Sequence, residues 1–408
     1  MNYKNKKLMS IAIISLAVIL VIEIFYFGIK IYHNRKVSTF YTVVSSVILD
    51  NESTYVGAGF SDYRHSKFNE FDKGYDKATM FKVKNGKIVK EAGLKLGLNS
   101  RFNDVVEVKD GYVAVGKIEM NEDQQKEGIT EGLIAKFDKN FKLIWRKNVS
   151  ILEKTELYKV KLDGDDLVIV GTSVYSEGYV GNHTTGGGIL LKYSLDGKQK
   201  LKVNNGGPYS GSFNDILIEK DSYVVVGLGR KNSGIIIKYN KNGKKLKSGS
   251  FGYTDKNGIN AVAKKGNNYI TAATKVVNPK DLSNYSAAIV EFNSNLEKID
   301  DVKYTSDKIT YFSDIKLDKD ENVFVCGYTG SAKENGVLTD AIVVKYDKDL
   351  YEKSSDVLKG KKNDFYSKIY LKDSNIYLLG YSNSKLKEFK TNGYDYYPVL
   401  KKYNNNLK

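Results

Sequence analysis

Cysteine occurs once in the 408 residues, at Cys326; tryptophan occurs once, at Trp145, and proline and histidine three times each. A single cysteine excludes a disulfide framework and a thiolate metal cluster. Cys326 stands in the apolar run VFVCG and reads as a small buried residue. His33, His65 and His183 are too far apart for metal-ligand spacing, so no metal and no cofactor is expected. With so little proline, the turns fall to the 36 glycines and to asparagine. Beyond the first thirty or so residues no long stretch has helical periodicity. Arginine-rich patches are missing too, and the net charge of +16 comes from lysines dispersed among 48 acidic residues, so no nucleic-acid partner is expected.

Tyrosine is abundant at 31 residues, and together with valine and isoleucine it favours strands. The soluble part therefore reads as all-β. One long apolar run exists, LMSIAIISLAVILVIEIFYFGI from Leu8 to Ile29. As a helix it would span roughly 33 Å, enough to cross a hydrocarbon core. It ends in bulky FYFGIKIYH without a small-residue cleavage site, which points to an uncleaved signal anchor. The expected layout is a cytoplasmic tail at 1–7, a lipid-embedded anchor at 8–30 and an extracytoplasmic domain at 37–408. Lys4, Lys6 and Lys7 before the span, against Lys30, Arg35 and Lys36 after it, lean slightly to that orientation.

That domain repeats itself. FNDVVEVKDGYVAVG at 102–116 returns as FNDILIEKDSYVVVG at 213–227. The wider unit is an alternating strand, a polar turn, a strand ending in Gly, a variable loop, a strand of the form IVVKYD, and a further turn and strand. The second strands end at Gly59, Gly116, Gly171, Gly227, Ala273, Gly327 and Gly380. The spacing of roughly fifty residues is that of propeller repeats. A four-stranded unit cannot cover both its faces alone, and radial packing of seven such units does so. The copies resemble the bacterial beta-propeller repeat family across residues 37–408. The resemblance implies a seven-bladed β-propeller of four-stranded antiparallel blades. The seventh copy stops after its third strand, so VSTFYTV at 37–43 is expected to complete the last blade. The same strand would turn the tight-turn face toward the lipid.

First-to-second and third-to-fourth turns, such as KDG and NKNG, are uniformly tight. The second-to-third loops, 61–77, 117–131, 172–187 and 383–398 among them, are long and varied, and recognition usually sits on such loops. Their aromatic residues include Tyr63, Tyr175, Tyr179, Tyr285, Tyr394 and Tyr396, with His65 and His183 nearby. Asp104, Asp215 and Asp314 begin the innermost strands of copies two, four and six, and are expected near the channel mouth. Ser46, Lys159, Ala261 and Ser367 stand at the matched positions. The carboxylates either bind a cation or polyol, or bond backbone amides between blades. DKDEN at 318–322 lacks the Gly and distal Glu of a calcium loop and reads as a hairpin turn. GNHTTGGG at 181–188 opens a strand and not a helix, so it is no phosphate cradle.

No nucleophile-base constellation is present; the sialidase turn Ser-x-Asp-x-Gly-x-Thr-Trp is missing, as are the docking tryptophans of quinoprotein dehydrogenases. The expected role is non-catalytic binding of a protein or cell-envelope polymer through the long-loop face. The alternative is an envelope glycan-processing hydrolase or lyase with its site at the channel mouth.

Overall fold

The computed structural model describes residues 40–407 except 52–53, 64–75, 86, 95, 122, 124–127, 176–185, 206–210, 230–232, 253–257, 279–280, 305, 307, 334–335 and 385–396. The blades belong to a unit of residues 42–61 and 76–408; a second unit, 1–41 with 62–75, falls almost wholly outside the described residues. The expected tail and anchor lie outside them as well. Among the described residues no helix is long and apolar enough to cross a membrane.

Seven antiparallel sheets follow one another along the chain, six of four strands and a last one of three. Their innermost strands are Phe40–Asn51, Asn99–Val108, Lys154–Asp163, Ser212–Ile218, Gly258–Lys265, Ile309–Leu317 and Asp364–Lys372. We number the blades 1 to 7 in that order. Second strands such as Gly111–Glu119 are buried at nearly every position, because a neighbouring blade covers each face. Outermost strands such as Gln199–Asn204 alternate half-buried and exposed residues and carry lysines to solvent.

The core is divided into seven apolar clusters, one at each blade joint. Phe102, Val105 and Tyr112 of blade 2 pack on Ala58 and Met80 of blade 1. The remaining joints follow the same plan. The cluster that closes the circle joins Val47, Tyr55, Phe81 and Val83 of blade 1 to Tyr377 and Leu379 of blade 7. Tyr370 of blade 7 adds a hydrogen bond from its hydroxyl to the carbonyl of Val47. The ring therefore closes by packing of faces.

The expected completion of blade 7 by residues 37–43 is not seen. Among the described residues its sheet has three strands, and Phe40 to Val43 run instead as the start of the innermost strand of blade 1. Residues 37–39 lie outside the described residues. The orientation of the two faces drawn from a completing strand loses its premise.

Tight turns recur with one chemistry. In blade 6 the Asp347 carboxylate accepts the amides of Asp349 at 3.0 Å and Tyr351 at 2.9 Å. Asn240 and Asn293 do the same in blades 4 and 5. The turn's last residue takes a positive φ, as Gly243 at 80° or as Leu350 at 63°. Leucine accepts that strain because its side chain is buried in the joint. On the opposite face, the second-to-third connections of blades 5 and 6 are protruding hairpins: strand Asn268–Asn278 meets Asp281–Phe292, and Val323–Lys333 meets Gly336–Tyr346. Tyr285, expected in a loop, is part of the first of these, and Tyr63 ends strand Thr54–Tyr63.

Candidate functional site

The FND motif is a joint. Phe102, Phe213 and Phe312 are fully buried between blades. The next residue is a bulge: the register slips between Phe102 and Asp104, between Phe213 and Asp215, and between Phe312 and Asp314. A bulge bends the strand and re-aims its side chains. Asn103 donates to the Leu157 carbonyl of the next blade at 2.9 Å, and Asn214 to that of Ile259 at 3.0 Å. The aspartates then accept an amide from the next blade: Asp104 from Val160 at 2.9 Å, Asp215 from Val262 at 3.1 Å, and Asp314 from Ile369 at 3.0 Å. Each motif thus ties one innermost strand to its neighbour twice.

The carboxylates also meet lysines. Lys368 lies 2.6 Å from Asp104, Lys161 3.1 Å from Asp215 and Lys316 2.7 Å from Asp314. The Ser46 hydroxyl donates to Asp104 as well. Burial pushes the Asp104 carboxyl up, but the charges of Lys368 and Lys159 and the hydrogen bonds of Lys368 and Ser46 outweigh it and hold it at about 2. Asp215 is likewise held low against burial by Lys161, Lys159 and Lys316. Asp104 and Asp314 sit five residues into their strands, about 16 Å from the strand start. They lie inside the channel, deeper than the mouth. The pairing also corrects the matched position in blade 7: Ser367, like Asn103 in blade 2, is the bulged residue, and Lys368 stands where blade 2 has Asp104. Lys159 holds that position in blade 3.

Above this layer, on the long-loop side, blades 2 to 7 each present the residue before their Phe position. In blades 2 and 3 these are Arg101 and Glu156, paired at 2.7 Å. In blades 4 and 5 they are the small Ser212 and Gly258. In blades 6 and 7 they are Tyr311 and Phe365. These two belong to a continuous row of half-buried rings. Tyr311 stacks on Tyr328 with centroids 5.3 Å apart, Tyr328 meets Phe365 at 5.4 Å, and Phe365 stacks on Tyr381 at 5.2 Å. The Tyr285 and Tyr328 hydroxyls are 2.6 Å apart. Burial raises the Tyr311 phenol to about 12, so it keeps its proton at neutral pH. Among the described residues this layer is thus charged on blades 2 and 3, aromatic on blades 6 and 7, and made of small residues on blades 4 and 5.

Sequence reasoning looked for aromatics in loops and missed Tyr311, Tyr328, Phe365 and Tyr381, which lie on strands. Their signal was available: only copies six and seven flank both the motif and the terminal Gly with aromatics, in YFSD with CGY and FYSK with LGY. His65, Tyr179, His183, Tyr394 and Tyr396 lie outside the described residues, and so does the side chain of Tyr63.

Asp104 and Asp215 are held low and Lys159 is held high, the carboxylates around it outweighing burial, so these three groups are not poised for proton transfer near neutral pH. Burial moves Lys368 the other way, down from its usual value. Asp364, at the start of the blade 7 inner strand, is the buried carboxyl with the opposite shift. Burial lifts it to about 6 despite the hydroxyls of Ser382 and Ser384. Cys326 is fully buried beside Ser313, and burial pushes its thiol up. Asp318 of DKDEN accepts the amides of Asp320 and Asn322, which makes it a turn. Among the described residues no group of His, Cys, Asp and Glu can hold a metal ion.

No protein-family model matches this chain, and neither does any curated protein sequence. Among solved structures it is similar to a lignostilbene dioxygenase of Pseudomonas brassicacearum, with 10% identity, 90% of each chain covered and a TM-score of 0.49. It is also similar to Sqt1 from Chaetomium thermophilum, with 10% identity, 83% of this chain and 79% of that one covered, and a TM-score of 0.45. YjhT matches at 11% identity over 78% of this chain and 97% of its own, with a TM-score of 0.44. Likenesses this distant carry no function, and the fold rests on the chain's own seven sheets.

Proposed function

We propose that this chain is a membrane-anchored, extracytoplasmic propeller that binds a protein or cell-envelope polymer without transforming it. Residues 8–30 hold it in the lipid, and the partner docks on the long-loop face. One observation carries the reading: the channel carboxylates are engaged in joining blades, while the face above them presents the rings from Tyr285 to Tyr381. Aromatic residues with phenol groups give rigid contact area that is apolar in its body and polar at its tip. Catalysis at the mouth would instead need two close titratable groups with separated pKa values.

Photo-crosslinking in living cells tests this. Photoreactive residues at Tyr175, Tyr285 and Tyr381 on the long-loop side are expected to capture one defined product. The same residues at the exposed turn positions Asp165, Asp221 and Lys348 are expected to capture none of it. The reverse pattern would place binding on the other face and end the proposal.

A further inference from the structure

The four lysines and three aspartates of the channel do not cancel. Lys368, Lys161 and Lys316 each pair with one carboxylate. Lys159 makes no hydrogen bond or ion pair among the described residues. It stands at the matched position in blade 3, one layer below the mouth, where Asp104, Asp215 and Asp314 all act on it from other blades. Among the described residues these seven groups therefore carry one cation in excess, and a single negative charge brings them to neutrality.

We propose that the channel mouth takes a carboxylate-bearing sugar residue, with its acid group on Lys159 and its ring beside Tyr311 and Phe365. The proposal rests on the non-catalytic binding role above and names the ligand class. Three features select this chemistry. A lone fixed cation suits one acid group, whereas a nucleic acid needs a track of them. Asp104 and Asp314 already accept an amide and a lysine ammonium, and Oδ1 of Asp215, which accepts no hydrogen bond, faces the Lys161 ammonium at 3.1 Å, so each carboxylate already has its cation. The tyrosine row offers apolar ring surface beside protonated phenols, which matches a pyranose with its apolar face and hydroxyl rim.

Isothermal titration of the full chain with trigalacturonate and with maltotriose tests it. Trigalacturonate is expected to bind at least ~10-fold more tightly than maltotriose, and more weakly as salt rises. Lys159→Met should lose ~10-fold or more, Lys159→Arg should keep most of the affinity, and Tyr311→Leu should lose ~10-fold. If Lys159→Met fails to fold, the arginine and Tyr311 variants carry the comparison. Equal binding of the two sugars, or Lys159→Met binding like the parent, overturns the proposal. So does a triglutamate peptide that binds as tightly as the sugar acid. If no saccharide binds while long-loop crosslinks still capture a partner, the ligand class is wrong and the binding role stands. If both fail, both fall.

Discussion

Asp104→Ala is expected to lower the unfolding free energy by about 3–5 kcal/mol, the cost of removing one member of a buried charged pair. The carboxylate is 1% exposed and meets the Val160 amide, Lys368 and Ser46 at once. Deleting it leaves a buried ammonium and a buried amide without their acceptor. The single tryptophan is well placed to read the change. Trp145 belongs to blade 2 and donates its indole N–H to the Leu195 carbonyl of blade 3 at 3.1 Å, across the same joint that Asp104 ties. Urea unfolding followed by Trp145 fluorescence should show a lower midpoint with an unchanged slope. A carboxylate kept free for a ligand would be removed at little cost, so a midpoint within error of the parent contradicts the structural role.

Gly227→Ala should cost about 3 kcal/mol, through backbone strain. A Cβ there would lie 1.9 Å from the Ser212 carbonyl oxygen. The bulge brings that carbonyl in, and the equivalent contacts are 1.8 Å at Gly116, 2.1 Å at Gly171, 1.8 Å at Gly327 and 1.7 Å at Gly380. Blade 5 is the exception that explains the rule. It has Ala273 in place of the glycine, and there the residue before the buried Ile259 is itself a glycine, Gly258. Glycine frees the first strand to move its carbonyl. Ser212→Gly should therefore restore part of the loss in the double variant, with a coupling of about 1 kcal/mol or more. Strict additivity of the two changes would refute this exchange of glycines across the joint.

The repeat, its number and the tightness of one set of turns were legible because they are written in residue identity. The Gly-ended strands, the KYD strands and the Asp or Asn turns each recur at fixed offsets. A bulge is not legible in this way, since it inserts one residue without changing the alternation of apolar positions. Ser367 was matched to Asp104 because FYS of copy seven was set on FND of copy two, whereas the pairing sets Tyr366 against Phe102 and so Lys368 against Asp104. The closure at Val47 and Tyr377 involves residues more than three hundred positions apart and has no local signature. The site was legible only in part. Asp104, Asp215 and Asp314 were found, but the amides they accept are on the next blade, and the Lys368 partner of Asp104 comes from blade 7. Tyr311 and Phe365 gain meaning only when blades 6 and 7 stand side by side.

The claim on which the rest depends is that the three channel aspartates fasten one blade to the next. Native-state hydrogen exchange at the amides of Val160, Val262 and Ile369 tests it most directly. These amides face a channel, and without acceptors they would exchange quickly. Bound to the aspartates, they are expected to rank among the slowest in the chain and to exchange only with global unfolding. Exchange at the rate of the exposed turns would mean that the carboxylates are free, and the joint and the site above it would both have to be abandoned.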